Sequence, residues 1–387
     1  MSDIEGQISI TLKQQQASVC EVALSSTRPV RASRIFIGKT AQQVLETIPA
    51  LFGVCAISQS RAALLSIGQA LGVDIDSDYE RARDVLVLAE NAKEHLLRIQ
   101  LDWPPLFGRA IDPSRLPWLS RLVNEFNKAL FVDGRAFALD SRLQDGQHQA
   151  VLLIDELEQY LQQQVFCYPP AQWLALDGLE ALLAWAKDCQ SIAAQSLQTI
   201  CAQGWTSQGV SECHALTRMD AAALLNHFDD ARSASFIAEP TWQGRCCETT
   251  ALSRQFMQPL IRQLHDEFHA SLITRWVARL VELAGIPTQM RQLFQLKAKP
   301  VLAQADTAGI AQVEAARGRL VHRVELDGDI LSQYQILAPT EWNFHPRGLA
   351  AQSLSRLNAR DEVELETLAR LVVNVIDPCV GYELTIH

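Results

Sequence analysis

The sequence predicts an α+β protein, a mainly helical body with small N- and C-terminal strand regions. Three observations carry that expectation. Residues 3 to 24 alternate apolar and polar positions, with Ile8, Ile10, Leu12, Val19, Val22 and Leu24 on one side of the pattern, as a small sheet or hairpin does. The middle of the chain repeats apolar residues at helical spacing, with Pro, Gly and Asp between the segments. From about Arg319 the chain turns strand-rich, and Asp327-Gly328-Asp329 separates 319–326 from 330–338 as a hairpin turn would. Early and late strands around a helical body are most simply one protein whose two ends meet.

Taken in order, Arg34 to Ile37 reads as an extension of the first sheet, closed by Gly38-Lys39-Thr40. Thr40 and Gln43 form a capping box for a helix through Val44, Leu45 and Ile48 to Pro49. Ala50 to Ser60 is an apolar link, and a second helix runs from Gln59 to about Leu71. A long helix over 78–101 carries Val85, Leu88, Ala92, Leu96 and Ile99 on one face and stops before Trp103-Pro104-Pro105. Helical patterns follow at 117–131, 150–164, 171–188, 191–202 and 216–227, with short strands expected within 134–150. Another covers 248–258, ends or kinks at Pro259, and continues to about Leu283; after Pro287 the pattern shifts. A last helix at 361–371 leads into Leu371 to Ile376, an apolar run read as a buried strand. Asp377-Pro378 then turns the chain, and alternating residues run past Cys379 to His387. A tail that carries a thiol and an imidazole suggests a site completed late in the sequence.

Composition narrows the function. A net charge of −10 with no basic stripe argues against a nucleic-acid partner. The start, Met1-Ser2-Asp3-Ile4-Glu5, lacks a basic leader, and no apolar run is long enough to span a bilayer, so no membrane insertion and a cytoplasmic location are expected. Nine cysteines are irregularly spaced and none forms a CxxC pair. Most read as buried small hydrophobes. P-loop, GxGxxG and HExxH motifs are absent. Cys55 in its apolar segment and Cys379 after Asp-Pro are, taken alone, ordinary core filling. Cys246-Cys247, Cys213-His214 and His95 read as structural, and Glu248 with Arg254 as a buried structural pair.

Several segments, in order, carry a resemblance. Ile4-Glu5-Gly6-Gln7 is similar to the Ile-Glu-Gly-His that opens the large, nickel-binding subunit of nickel–iron hydrogenases. Ala50-Leu51-Phe52-Gly53-Val54-Cys55 resembles that family's Arg-Ile-Cys-Gly-Val-Cys motif, with Gln59 at the position of its following His. Glu94-His95-Leu96, Glu248 to Arg254 and Glu314-Ala315-Ala316-Arg317-Gly318 match further segments. Tyr334, Pro339-Thr340-Glu341-Trp342-Asn343 and Pro346-Arg347 match another, and Asp377-Pro378-Cys379 opens the final Asp-Pro-Cys-x-x-Cys-x-x-His motif. More narrowly the chain resembles the HupK/HoxV accessory proteins, shortened relatives that serve in making the enzyme's iron centre.

The resemblance implies a single hydrogenase-large-subunit-like domain over 1–387, in which 1–58 and 314–387 meet at the site and 59–285 form the helical body. The enzymes hold nickel and iron with four thiolates; here two remain, Cys55 and Cys379, while Phe52 and Tyr382 take the other places. Phe cannot ligate, and Tyr is a poor substitute for a soft thiolate. No nickel and no hydrogen turnover are therefore expected. Two thiolates still suffice for an iron that brings two cyanides and one carbon monoxide, and they leave one position open for transfer. The implied function is a scaffold or chaperone in hydrogenase maturation that holds this fragment transiently between Cys55 and Cys379. Cys379 matches a thiolate that binds nickel alone, so in this reading it turns toward the iron. Arg317, Thr340, Pro346 and Arg347 would face the cyanides, whose nitrogens accept hydrogen bonds. Glu5 and His387 are candidates for a magnesium site. The implied partners are small maturation chaperones that carry the iron fragment and the hydrogenase large-subunit precursor. The alternatives are a metal-free structural chaperone for hydrogenase assembly and a divergent redox metalloenzyme.

Overall fold

The computed structural model describes residues 6–15, 18–73, 76–228, 232–295 and 309–387. The chain opens with an antiparallel pair, β1 (Ile8–Gln15) and β2 (Ser18–Ser26). Ile8, Ile10 and Leu12 face the core, as their alternation predicts. Arg34–Ile37 does not extend this sheet: Ala32–Phe36 is a 3-10 turn that buries Phe36. The longer helices are α1 (Ala41–Leu51), α2 (Ala56–Ala70), α3 (Ser77–Leu97), α4 (Leu116–Leu130), α5 (Gln147–Leu161), α6 (Gly178–Asp188), α7 (Ile192–Ala202), α8 (Pro259–Phe268), α9 (Leu272–Gln295) and α10 (Glu362–Ile376). The Thr40–Gln43 capping box of α1 is formed in both directions.

Between α9 and α10 lies a three-stranded antiparallel sheet in the order β3 (Ile310–Ala315), β4 (Gly318–Asp327), β5 (Ile330–Leu337). The β4–β5 hairpin is the one the Asp-Gly turn predicts, and β3 adds a strand the sequence reading did not include. The last strand, β6 (Tyr382–Ile386), pairs parallel with β1, from Ile8 opposite Tyr382 to Leu12 opposite Ile386. The two ends of the chain thus share one sheet, in the order β2-β1-β6.

Several elements differ from expectation. Leu371–Ile376 is the end of α10 and not a strand. Leu365, Leu368, Ala369, Val372, Val373 and Ile376 are buried at helical spacing, and packing against α9 overrides the β-branched local preference. Asp361 caps this helix by accepting from the Glu364 N–H. The long helix does not stop before the Trp-Pro-Pro run: α3 passes through a π-turn at Arg98–Asp102 into a short helix, Trp103–Leu106, whose first turn tolerates proline. The helix expected to run from Pro259 to Leu283 is two, because His269 at φ 57° breaks it, and α9 then carries Pro287 inside to Gln295. The 216–227, 248–258 and 171–188 patterns shorten to Ala221–Leu225, to Ala251–Gln255, and to Pro170–Trp173 plus α6. Between 134 and 150 there is only an isolated bridge, Phe131 to Leu143. Most cysteines read as buried small hydrophobes, but Cys167 and Cys189 form a disulfide with a Cα–Cα separation of 5.8 Å. No helix among the described residues is long and apolar enough to cross a membrane.

One large core joins β1, the helices and α10. Within it Trp103 stacks on Trp276 of α9 at 3.9 Å between centroids. The Trp103 indole N–H donates to Asn374 at 2.9 Å, tying the π-turn segment to α10 just before the Asp-Pro-Cys turn.

Candidate metal centre

The two predicted thiols meet. A cavity of about 70 Å³ is lined by Cys55, Cys379, Phe52, Gln59, Arg317 and Glu94, among others.

Cys55 is placed by the link between α1 and α2, where it sits immediately before the first residue of α2. That helix start is held by Glu90 of α3, whose carboxylate accepts from the Ile57 N–H at 2.8 Å, the Ser58 N–H at 2.9 Å and the Ser58 hydroxyl at 2.6 Å. Burial pushes the Cys55 thiol well above its ordinary value, and the neighbouring Cys379 and Glu90 push the same way; Arg317 and Gln59 oppose them. Cys379 comes from the turn after α10, and its N–H donates to the Thr340 hydroxyl oxygen at 3.1 Å. Thr340 therefore fixes the Cys379 backbone and keeps its own hydroxyl proton as a donor, although it is not among the cavity's lining residues. A groove of about 500 Å³ lies on the other side of Val54, Cys379 and Val380, so these residues line both spaces. Tyr382, at the second cysteine position of the family motif, lines the outer groove; Phe52, at the first, lines the cavity.

Arg317 sits in the two-residue hairpin turn between β3 and β4, where Ala315 pairs with Gly318. Gly318 has φ 130°, and a Cβ there would lie 1.7 Å from the Thr249 carbonyl oxygen, so only glycine fits. Asn343 donates to the Arg317 carbonyl at 3.1 Å and accepts from the Thr249 N–H at 2.9 Å. Arg254 donates to the Ala316 carbonyl at 2.9 Å. The matched Glu-Thr and Trp-Asn segments thus brace the turn that carries Arg317. Its Nε donates to Asp377 at 3.1 Å and its NH1 to Glu94 at 3.1 Å, while NH2 is buried without a hydrogen-bond partner. Burial opposes the Arg317 charge, but Asp377, Cys379, Glu94 and Cys55 outweigh it and raise its pKa. Asp377 has φ 66° and pairs also with Arg98 at 2.9 Å and Arg279 at 3.3 Å. Burial alone would raise this carboxyl; Arg317, Arg98 and Arg279 reverse that and hold it at about 2.

The remaining predicted residues lie elsewhere. Pro346 and Arg347 do not line the cavity. The turn that carries them folds toward Cys246: the Arg347 N–H donates to His345 Nδ1, which lies 3.5 Å from the Cys246 sulfur. His387 is exposed and lines neither space; the β1–β6 register puts its backbone against Leu12 and Gln14. Glu5 lies outside the described residues. Glu248 and Arg254 do not pair with each other: Glu248 pairs with Arg275 at 2.9 Å, and Arg254 with Glu282 at 2.6 Å. His95 is buried and 2.9 Å from Glu282, as its structural reading expects. Glu90, Gln59 and Arg28 line the cavity without having been singled out as site residues. Only the position of Gln59 within the Cys55 motif offered a signal. Among the described residues no group of three or more His, Cys, Asp or Glu is arranged to hold a bare ion.

The fold thus joins its ends beside two partly exposed thiols and a buried arginine. The chain belongs to the nickel-dependent hydrogenase family, whose sequence profile matches residues 181–381. Its fold agrees: the Ni-Fe-Se hydrogenase of Desulfomicrobium baculatum superposes with a TM-score of 0.67 over 95% of this chain and 95% of that one, at 14% identity. Within this class the chain is similar over its length to proteins that carry another description. It is 27% identical to the hydrogenase expression/formation protein HoxV of Cupriavidus necator, covering 93% of this chain and 91% of that protein. It is 28% identical to the hydrogenase expression/formation protein HupK of Azotobacter vinelandii, covering 98% of each.

Proposed function

We propose that this protein is a non-catalytic scaffold in nickel–iron hydrogenase maturation, which holds an iron-dicyano-carbonyl fragment between Cys55 and Cys379 until transfer to a large-subunit precursor. The observation that carries the reading is the cavity itself. It joins two thiols and a buried guanidinium whose NH2 lacks a partner. It also lacks a third or fourth thiol, since Phe52 and Tyr382 stand in those places. The expression/formation descriptions of the relatives over nearly the full chain support a maturation role.

The chemistry follows from the donor set. Two thiolates alone fall short of the four-donor sets that bare nickel or zinc ions take. They complete five of six positions on an iron that already carries three strong diatomic ligands, and the sixth stays open. Arg317 NH2 offers a charged donor to a cyanide nitrogen, for which a guanidinium is well suited. Its other donors are tied to Asp377 and Glu94, so the third is held in place without loss of side-chain freedom on loading. In this reading a carrier chaperone would approach Cys379 from the groove that this residue also lines.

The test is maturation in cells, with Cys55→Ala and Cys379→Ala variants assayed for hydrogenase activity and for iron co-purifying with this protein. The proposal expects iron without nickel on the parent, its loss in both variants, and a matching loss of mature hydrogenase. Undiminished maturation with folded variants would favour a metal-free chaperone, and stoichiometric nickel would favour a redox enzyme.

A further inference from the structure

A chain of buried polar groups runs from the site into the β4–β5 sheet. Gln59 lies in the first turn of α2, four residues after Cys55, which precedes that helix. Its Nε2 lies 3.7 Å from the Cys55 sulfur. Its Oε1 lies 2.8 Å from His322 Nε2, and His322 Nδ1 lies 2.8 Å from the Tyr334 hydroxyl. His322 on β4 and Tyr334 on β5 are diagonal neighbours on one sheet face, since Val324 pairs with Tyr334 and His322 with Ile336. All three side chains are buried.

We propose that Gln59 is a positioning residue for Cys55, with its amide N–H locked toward the sulfur by the Tyr334–His322 pair. The inference rests on the scaffold reading for the role of the sulfur, but not for the direction of the lock. That direction follows from counting donors. The Tyr334 hydroxyl has one proton, and among the described residues its only acceptor is His322 Nδ1. A buried hydroxyl that keeps its proton unshared is disfavoured. Nδ1 therefore accepts, Nε2 carries the hydrogen of the neutral ring, and the Gln59 oxygen receives it. The NH2 end of the amide is left facing Cys55. The reverse chain would strand the phenol proton and turn a carbonyl oxygen toward the sulfur. That arrangement suits a thiol but repels a thiolate.

An amide in this place has a further consequence. It gives a hydrogen bond to a metal-bound thiolate but carries no proton to deliver. It therefore draws electron density from the sulfur without protonating it off the metal.

Two measurements test the lock. In metal-free protein with 15N-labelled histidine, the signal that disappears in His322→Gln identifies His322. The lock expects the neutral Nε2–H form with an unprotonated Nδ1; an Nδ1–H form in the parent overturns it. In protein loaded with the iron fragment, Tyr334→Phe and Gln59→Leu should each lower the carbon monoxide stretching frequency, because an unshared thiolate donates more charge to iron. The double variant should match Gln59→Leu alone, since both act through one amide. Additive shifts, or no shift in Gln59→Leu with normal thermal unfolding, overturn the positioning role. A parent without diatomic bands would count against the scaffold reading, while the histidine signal would still decide the direction of the lock.

Discussion

Arg317 joins two buried carboxylates to the cavity, and its removal has a stability cost separable from any loss of function. Arg317→Met leaves Asp377 and Glu94 short of a buried partner. We expect a loss of about 3–5 kcal/mol in urea unfolding, with a smaller loss for Arg317→Lys, which keeps the charge but not the fork. Asp377 adds an acid limit. Its pKa in the fold, about 2, lies below the ordinary 3.8. Its contribution is therefore present above pH 4 and is lost as pH falls toward 2. His322 acts higher on the scale. Burial holds it at about 3 against an ordinary 6.5, so the native state must take up a proton on a buried ring in acid. Stability should fall as pH drops from 6.5 toward 3, and His322→Gln should flatten urea midpoints measured across that range; an unchanged slope would place the ring's titration elsewhere. Cys55, Cys379 and Arg317 were legible because each sits in a matched motif. Glu90 was not, because its role depends on meeting Ile57 and Ser58 from another helix. Pro346 and Arg347 misled because motif order gives proximity in sequence, while neither lines the cavity and the turn after Asn343 sets the neighbouring His345 against Cys246.

At the scale of elements, the β3–β4 turn is the most constrained device. Gly318→Ala must clear the Thr249 carbonyl and hold an unfavourable φ, so we expect a loss of about 3 kcal/mol or more. The accompanying shift of Arg317 should be visible in a crystal structure of the variant. The Cys167–Cys189 bridge closes a segment with a separation of 22 residues. Reducing it should lower stability by about 3 kcal/mol on loop entropy, read as a lower thermal midpoint in reductant; an unchanged midpoint would contradict that estimate. The β4–β5 hairpin and the α1 capping box were legible because turn and cap chemistry is local. The end of α10 was not: Leu371 to Ile376 is apolar in either conformation, and only packing on α9 selects the helix. No pairing rule places Cys189 opposite Cys167 from spacing alone, so the disulfide was equally hidden.

For the molecule as a whole, the parallel pairing of β6 with β1 is decisive. It brings residues from the two ends of a 387-residue chain into one sheet and sets the turn with Cys379 over the link with Cys55. The α+β class was visible in the strand patterns at each end, whereas the parallel register was not, since alternation alone is indifferent to strand direction. That register also carries His387 away from the thiols. The central claim is that this closure makes a two-thiol berth for an iron fragment. Infrared spectroscopy tests it most directly, on protein purified without oxygen from cells with an active hydrogenase maturation system, beside Cys55→Ala and Cys379→Ala. The account predicts bands of metal-bound cyanide and carbon monoxide in the parent and their loss in both variants. Bands that persist in either variant, or a parent without them while hydrogenase matures normally, would contradict it.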